Sequence, residues 1–230
     1  MQDIYDRDLG YGIHSLGDNL EYNLKRMIEK HLDIPHKIEN TREVEQILLE
    51  HFSKTEDHKT RSSRTINEEV MKHNKEMIIE ELSKFLPRPK RLHNDDLYCR
   101  IVIPGQDNTI SVPHRDKYFH DITPGWQFDD NEMSIKLWFP IINISGVALG
   151  IVPGSHKECE KDYAKFYSEN GEMKFSTPHK QEELSTVQVN VGECLLFPDL
   201  LIHGSLKKNK LDGIRISGEL TLVYDKVGFQ

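Results

Sequence analysis

Cysteine is scarce in this sequence. The 230 residues include three cysteines, Cys99, Cys159 and Cys194, which lie far apart and form no Cys-x-x-Cys pair. This pattern argues against a disulfide framework and against a zinc knuckle, so we expect a reducing compartment, the cytoplasm. The opening residues, MQDIYDRDLG, are acidic and lack the apolar segment of a signal peptide.

The sequence also lacks an excess of positive charge. Its 30 Lys and Arg residues are outnumbered by 38 Asp and Glu residues, which gives a formal net charge of −8. Nucleic acids and anionic membranes require a basic face, so neither is an expected partner. A small basic cluster at Arg88, Lys90 and Arg91 is interpreted as a solvated connector. Residues 137–156 carry no Asp, Glu, Lys or Arg, but their prolines and glycines favour buried strands and turns over a membrane helix.

Helical patterns are confined to the N-terminal part of the chain. Apolar side chains there recur three and four positions apart, with Glu and Lys between them, which predicts amphipathic helices. The predicted helices cover residues 20–32, 42–53 and 66–86. The polar stretch 53–65 is predicted to be exposed or mobile.

Short β-prone runs follow from Leu97 onward, separated by Pro, Gly, Asn and Asp. Many short strands with turn signals predict an all-β sandwich or jelly roll. We therefore expect one domain over residues 1–230, with a mostly helical part at 1–95 and a jelly-roll core at 97–225. The insert 157–183 is polar and long for a connection, and such loops often act as lids or binding loops.

Histidine is abundant, with 12 residues, and the chain contains three His-x-Asp triplets, of which chance predicts about one. The triplet at 31–33 falls at the end of a predicted helix and the one at 93–95 in a charged connector, so both are interpreted as surface. The triplet at 114–116 follows an alternating run. If that run is a strand, His114 and Asp116 share a face and form a ligand pair.

A third histidine, His203, follows a predicted buried strand and completes a set of two histidines and one carboxylate. Non-haem Fe(II) oxygenases use this set, which leaves three metal positions open. Further on, Arg215 and Ser217 share a face of an apolar strand, and an arginine is costly to bury unpaired. A guanidinium beside a hydroxyl suits one end of a dicarboxylate. A structural salt bridge of Arg215 with Glu219 or Asp225 is the alternative.

The order of motifs PHRD, KLWFPI, NISGVALGIVPGSH, FPDLLIHGS and RISGEL resembles the phytanoyl-CoA dioxygenase family of Fe(II)/2-oxoglutarate oxygenases. The resemblance covers roughly residues 97–225. It implies a mainly β fold, a double-stranded β-helix (jelly roll) with flanking N-terminal α-helices. It also implies that His114, Asp116 and His203 bind the catalytic iron and that Arg215 holds the distal carboxylate of 2-oxoglutarate.

The same resemblance places further cosubstrate contacts at Ser205 and Trp138, and Ser217 matches an arginine-x-serine pattern of related oxygenases. For Ser205 the ordinary alternative is a backbone hydrogen bond, and for Trp138 it is a place in the core. Three more side chains follow the first ligand pair and are candidates for the substrate pocket: Tyr118, His120 and Trp126.

The expected activity is that of an Fe(II)- and 2-oxoglutarate-dependent dioxygenase. The resemblance implies hydroxylation, or else desaturation, of a C–H bond in a small-molecule or carrier-linked metabolite, with O2 consumed and succinate and CO2 released. Related halogenases lack the carboxylate ligand, whereas Asp116 is present here. Two alternatives remain open: a zinc-dependent hydrolase with the same ligands, and a non-catalytic metal-binding jelly-roll module, against which the absence of His-x-His counts.

Overall fold

The computed structural model describes residues 4–32, 34, 39, 41–53, 63–66, 68–103, 111–143, 147–158, 164–167, 173–176, 179–206 and 213–228. Within these ranges the helices are α1 (Asp18–His31), α2 (Arg42–Ser53), α3 (Glu68–Leu82) and α4 (Lys117–Ile122). The strands are β1 (Gly12–Ser15), β2 (Ser63–Ile66), β3 (Arg91–Val102), β4 (Glu132–Asn143), β5 (Val147–Ile151), β6 (Ala164–Tyr167), β7 (Met173–Ser176), β8 (Ser185–Gln188), β9 (Glu193–Pro198), β10 (His203–Gly204) and β11 (Arg215–Asp225).

Six strands form the main sheet in the order β1-β9-β4-β11-β3-β2, and neighbouring strands are antiparallel. A smaller sheet has the order β10-β5-β8, and β6 pairs with β7 as a separate hairpin. Strands that are neighbours in the main sheet are mostly far apart in the sequence, as a jelly roll requires. The predicted mainly β fold with a jelly-roll core and N-terminal helices is confirmed.

The two faces of the main sheet have different neighbours. On the outer face, Leu137 of β4 and Leu220 of β11 belong to one buried cluster with Leu24 of α1 and Ile78 of α3. These helices are amphipathic, so their apolar stripes cover the sheet. On the inner face, Trp138 belongs to a second cluster that includes residues of β5, β8 and β9. Side chains alternate between faces along a strand, so every second residue of β4 and β11 points between the two sheets.

All three predicted helices are present: the second has the predicted bounds, the first is shifted by one or two residues, and the third is shorter at both ends, since α3 ends at Leu82 instead of residue 86. The third predicted helix starts at Glu68 instead of residue 66, because Ser63–Ile66 pairs with β3 as an edge strand. Within the stretch 53–65, predicted to be exposed or mobile, residues 63–65 belong to the edge strand β2, and 54–62 lie outside the described residues. In the part of the chain that is described, none of the helices combines the length and apolarity needed to span a bilayer.

The predicted connector around residues 88–95 is also wrong in part. Strand β3 begins at Arg91, and both Lys90 and Arg91 bond to the buried carboxylate of Glu132, at 2.9 and 2.8 Å. His93, expected at the surface, is 6 % exposed. Burial of Glu132 needs compensating cations, which these two residues supply. The N-terminal part thus contributes β1, β2 and the start of β3 to the main sheet, and the single-domain assignment stays a prediction.

Candidate metal centre

His114 and His203 face each other across an isolated antiparallel bridge. The His114 N–H donates to the His203 carbonyl at 2.9 Å, and the His203 N–H donates to the His114 carbonyl at 3.0 Å. Residues paired in this way carry their side chains on the same face, and the two rings lie with centroids 4.4 Å apart. Gly204 permits the approach, because a Cβ there would lie 3.1 Å from the Pro113 nitrogen.

Both imidazole rings are oriented by the same kind of hydrogen bond. Nδ1 of His114 lies 2.7 Å from the carbonyl oxygen of Val112, and Nδ1 of His203 lies 3.0 Å from that of Leu201. A carbonyl only accepts, so Nδ1 carries the proton and donates in each ring. The Nε2 lone pairs are therefore left for a metal, and such orienting bonds are typical of histidine ligands.

Asp116 brings a carboxylate to the two imidazoles. Its Oδ1 lies 3.6 Å from Nε2 of His114, and its Oδ2 lies 3.5 Å from Nε2 of His203. The residue has helical backbone angles, φ −65° and ψ −29°, at the start of α4. The expectation that His114 and Asp116 alternate along a strand is therefore wrong, since the chain turns between them.

These three side chains can hold a single small cation. Their ligand atoms lie within 4.8 Å of one another, and no other group of three or more His, Cys, Asp or Glu residues in the described ranges is arranged in this way. Burial lowers the pKa of His203, although the charge of Asp116 opposes this effect. This shift favours the neutral imidazole, which is the form that binds a metal. Two imidazoles and one carboxylate form a donor set that Fe(II) accepts.

Lys136 of β4 is a part of the centre that the sequence interpretation missed. It is 7 % exposed, and its Nζ lies 3.4 Å from Oδ2 of Asp116 and 2.8 Å from Oε1 of Glu219. Burial alone would raise the pKa of Asp116, but attraction by Lys136 and the two histidines holds it well below its usual range. Burial likewise disfavours the charged lysine, yet the two carboxylates raise the pKa of Lys136. Strand alternation from Trp138 would have indicated its inward direction.

Arg115 and Ser155 tie the two ligand segments together. The Arg115 side chain is 2 % exposed, and its Nη2 donates to the Ser155 carbonyl at 2.8 Å. The Ser155 hydroxyl accepts a hydrogen bond of 2.9 Å from the N–H of Ile202, next to His203. Ser155 is part of the PGSH turn, whose histidine, His156, lies 3.1 Å from the Arg7 carbonyl. This turn therefore positions both sides of the centre.

The predicted cosubstrate residues lie mostly on the inner face of the main sheet. Arg215 is 3 % exposed, and its guanidinium carbon lies 5.6 Å from the centre of the Trp138 ring. Ser217, two residues further along β11, is 1 % exposed, and among the described residues its hydroxyl has no hydrogen-bond partner. A buried hydroxyl in this condition is available to bond to a ligand or an ordered water. Arg215 and Ser217 share the inner face, because β11 alternates.

Ser205 has a different environment. Its hydroxyl accepts a hydrogen bond from the N–H of Ser111 at 3.1 Å, and the Ser111 hydroxyl accepts one from the N–H of Ser205 at 3.0 Å. These bonds fasten the chain after His203 to the chain before His114. The geometry matches the alternative of a backbone-bonding serine, and a cosubstrate role for Ser205 stays a prediction.

Four rings pack together beside the turn that carries His114 and Asp116: His93, His120, Trp126 and Phe128. The His93 ring centre lies 4.7 Å from that of Phe128 and 5.3 Å from that of His120. Burial and the neighbouring positive groups lower the pKa of His93 to about 4. His120, predicted as a pocket residue, is 2 % exposed with Nδ1 3.4 Å from Asp199 Oδ2. Its partner His93 had been placed at the surface because of the charged residues that follow it.

Comparisons with known proteins identify the family and the fold. The phytanoyl-CoA dioxygenase (PhyH) family model matches residues 21–217. No curated protein matches the chain in sequence. The structure of EvdO2 from Micromonospora carbonacea var. aurantiaca is similar, with 10 % identity over 95 % of this chain and 88 % of that chain and a TM-score of 0.54.

Two more solved structures are similar at the level of the fold. The non-haem monooxygenase ThoJ has 11 % identity over 96 % of this chain and 77 % of its own, with a TM-score of 0.51. EctD from S. alaskensis, solved with 2-oxoglutarate and 5-hydroxyectoine, has 15 % identity over 97 % of this chain and 74 % of its own, with a TM-score of 0.50. Identities this low establish a shared fold alone.

Proposed function

Since this chain belongs to the phytanoyl-CoA dioxygenase family and is therefore a non-haem iron, 2-oxoglutarate-dependent oxygenase, we propose that it hydroxylates a C–H bond of a small-molecule or carrier-linked metabolite. The products besides the hydroxylated metabolite are succinate and CO2, and O2 is consumed. The observation that carries the proposal is the convergence of His114, Asp116 and His203 within 4.8 Å.

These three residues are the proposed iron ligands. They would hold Fe(II), and such a donor set leaves coordination positions open for cosubstrate and O2. Iron and 2-oxoglutarate, when bound, supply the oxidising chemistry, and the protein supplies binding and orientation. Val112 and Leu201 keep the two rings in the tautomer that presents Nε2, and Lys136 keeps Asp116 ionised.

Arg215 is the proposed anchor of the distal carboxylate of 2-oxoglutarate, with Ser217 as an additional donor. A guanidinium matches a carboxylate in a bidentate manner, and the bond is strong in a buried site. Trp138 lies over the Arg215 guanidinium and restricts its direction, so its proposed role is in the shape of the cosubstrate site. Ser205 is a weaker candidate, because its hydroxyl already bonds to Ser111.

The test is anaerobic addition of Fe(II) and 2-oxoglutarate to the purified protein. A weak visible charge-transfer band from the chelated keto acid is expected, and it should be absent in His203→Ala. His73→Ala is the matched control, because His73 is exposed on α3. A protein that binds Fe(II) but gives no band with 2-oxoglutarate contradicts the proposal, and hydrolytic activity with Zn²⁺ would favour the zinc hydrolase. Candidate metabolites that stimulate succinate release under air would identify the substrate.

A further inference from the structure

Arg100 of β3 lies beside the proposed cosubstrate residues of β11. In the antiparallel register of these strands Arg100 is paired with Ser217, and Val102 is paired with Arg215. Directly paired residues share a face of the sheet. The flanking residues of Arg100, Cys99 and Ile101, belong to the helix-side cluster, so Arg100 points to the inner face with Ser217.

Arg100 is also the diagonal neighbour of Arg215. Such neighbours lie about 7–8 Å apart across an antiparallel pair, which is within reach of two long side chains. The pKa of Arg215 is lowered to about 9, mainly by burial and secondly by the positive charge of Arg100. The two guanidinium groups therefore interact. Two guanidinium groups on one buried face repel each other, and an anion between them offsets this repulsion.

The position of Arg100 along the site is intermediate. Burial lowers the pKa of Arg100, while the charges of Tyr98, Glu219 and Asp116 act in the opposite direction. Arg100 therefore interacts electrostatically both with Asp116, a proposed metal ligand, and with Arg215, the proposed cosubstrate anchor. Ser217, which is paired with Arg100 and lies two residues from Arg215 on the same strand face, has a buried hydroxyl with no hydrogen-bond partner among the described residues. Two guanidinium groups and a free hydroxyl are donors that match a carboxylate.

We propose that Arg100 is a second guanidinium of the cosubstrate site, which together with Arg215 and Ser217 binds the distal carboxylate and selects a dicarboxylic 2-oxo acid. The proposal rests on the proposed function. It makes Arg100 a specificity residue for the cosubstrate: a 2-oxo acid of the same chain length without the distal carboxylate gains nothing from it.

The experiment compares two keto acids by anaerobic titration of the Fe(II)-loaded protein, followed by the charge-transfer band. For Arg100→Gln we expect the Kd of 2-oxoglutarate to rise by about tenfold or more, the equivalent of one charge-assisted hydrogen bond. The Kd of 2-oxopentanoate should stay within about twofold. Arg100→Lys, which keeps the charge but loses the fork, should give an intermediate rise for 2-oxoglutarate alone.

Arg88→Gln is the matched control, since Arg88 is an exposed arginine that pairs with Glu76 away from the site. An unchanged Kd of 2-oxoglutarate in both Arg100 variants overturns the inference, and so does an equal rise for both keto acids, which would indicate a general disturbance of the centre. If the wild-type protein itself gives no band with 2-oxoglutarate, the proposed function fails, which is a separate outcome. Thermal unfolding of each variant verifies that it is folded.

Discussion

Lys136→Met tests whether the buried lysine stabilises the fold by compensating two carboxylates. Its Nζ lies 2.8 Å from Glu219 and 3.4 Å from Asp116. At an effective dielectric constant of about 20, unit charges 3.4 Å apart attract by about 5 kcal/mol, and the cost of burying them offsets much of this. Removing one partner of a buried pair costs about 3–5 kcal/mol, because the other charge stays buried. The Glu219 side chain is 22 % exposed, so we expect the lower end, about 3 kcal/mol.

The measurement is urea-induced unfolding near neutral pH in the presence of EDTA. The double variant Lys136→Met/Glu219→Gln also removes one of the two orphaned carboxylates, so it should recover at least half of the lost free energy of unfolding. The stabilisation by Fe(II), added without oxygen, should be larger in Lys136→Met than in the wild type. Lys136 repels a dication bound at Asp116, and the substitution removes this repulsion.

Three results would refute this reasoning. A free energy of unfolding within about 0.5 kcal/mol of the wild type would mean that the ion pairs contribute nothing net. A double variant no more stable than Lys136→Met would assign the loss to packing instead of charge. A smaller stabilisation by Fe(II) in the variant than in the wild type would mean that Lys136 mainly orients Asp116 for the metal.

Three further predictions concern single residues. Burial lowers the pKa of His93 from 6.5 to about 4, so on acidification the unfolded chain binds a proton at this histidine before the folded protein does. The free energy of unfolding should therefore fall by up to about 3 kcal/mol as the pH drops from 6.5 to about 4. His93→Gln should remove this contribution to the pH dependence, and an unchanged pH dependence in the variant would contradict the prediction. Arg215→Ala should raise the 2-oxoglutarate requirement tens- to thousands-fold through the loss of about 2–5 kcal/mol, with Fe(II) still bound; an unchanged requirement in the activity assay would remove Arg215 from the site. Gly204→Ala places a Cβ 3.1 Å from the Pro113 nitrogen and should cost about 1–3 kcal/mol in urea unfolding and weaken Fe(II) binding; full metal affinity would show that the bridge tolerates displacement.

The long strands were predictable from sequence, whereas the short edge strands were not. Strands β4 and β11 are buried along almost their whole length because both of their faces are covered, and their apolar, β-prone segments, such as LWFPII in β4 and TLVY in β11, are visible without a structure. Strand β1 has four residues of alternating exposure, and Ile13 is 43 % exposed. It is held by backbone pairing to β9, which leaves no mark in its own composition. Partner strands far along the chain decide whether such a segment is a strand.

Charged residues misled the interpretation of β3. His93 is followed by Asn94, which is exposed with φ at 52°, and by further acidic residues, so the stretch has the composition of a connector. In the structure alternate residues face opposite ways, and His93 packs among aromatic rings. Lys136 was overlooked for the related reason that a lysine is expected outside. Both errors have the same origin: polar residues are expected at the surface because of their composition alone. In the structure, both side chains are buried inside the jelly roll.

The sequence predicts that His114 and Asp116 lie close together because they alternate along a strand. In the structure they lie close together because the chain turns between them. Two residues that share a turn lie close together whichever way the backbone runs, so the short spacing by itself limits their separation. What spacing does not determine is the direction of the side chains, and here the direction comes from contacts distant in sequence. The bridge to His203 orients one imidazole, and Lys136 holds the carboxylate of Asp116 at 3.4 Å. A His-x-Asp triplet therefore becomes a candidate metal site only through its partners, so the same spacing at 31–33 and at 93–95 does not by itself predict one.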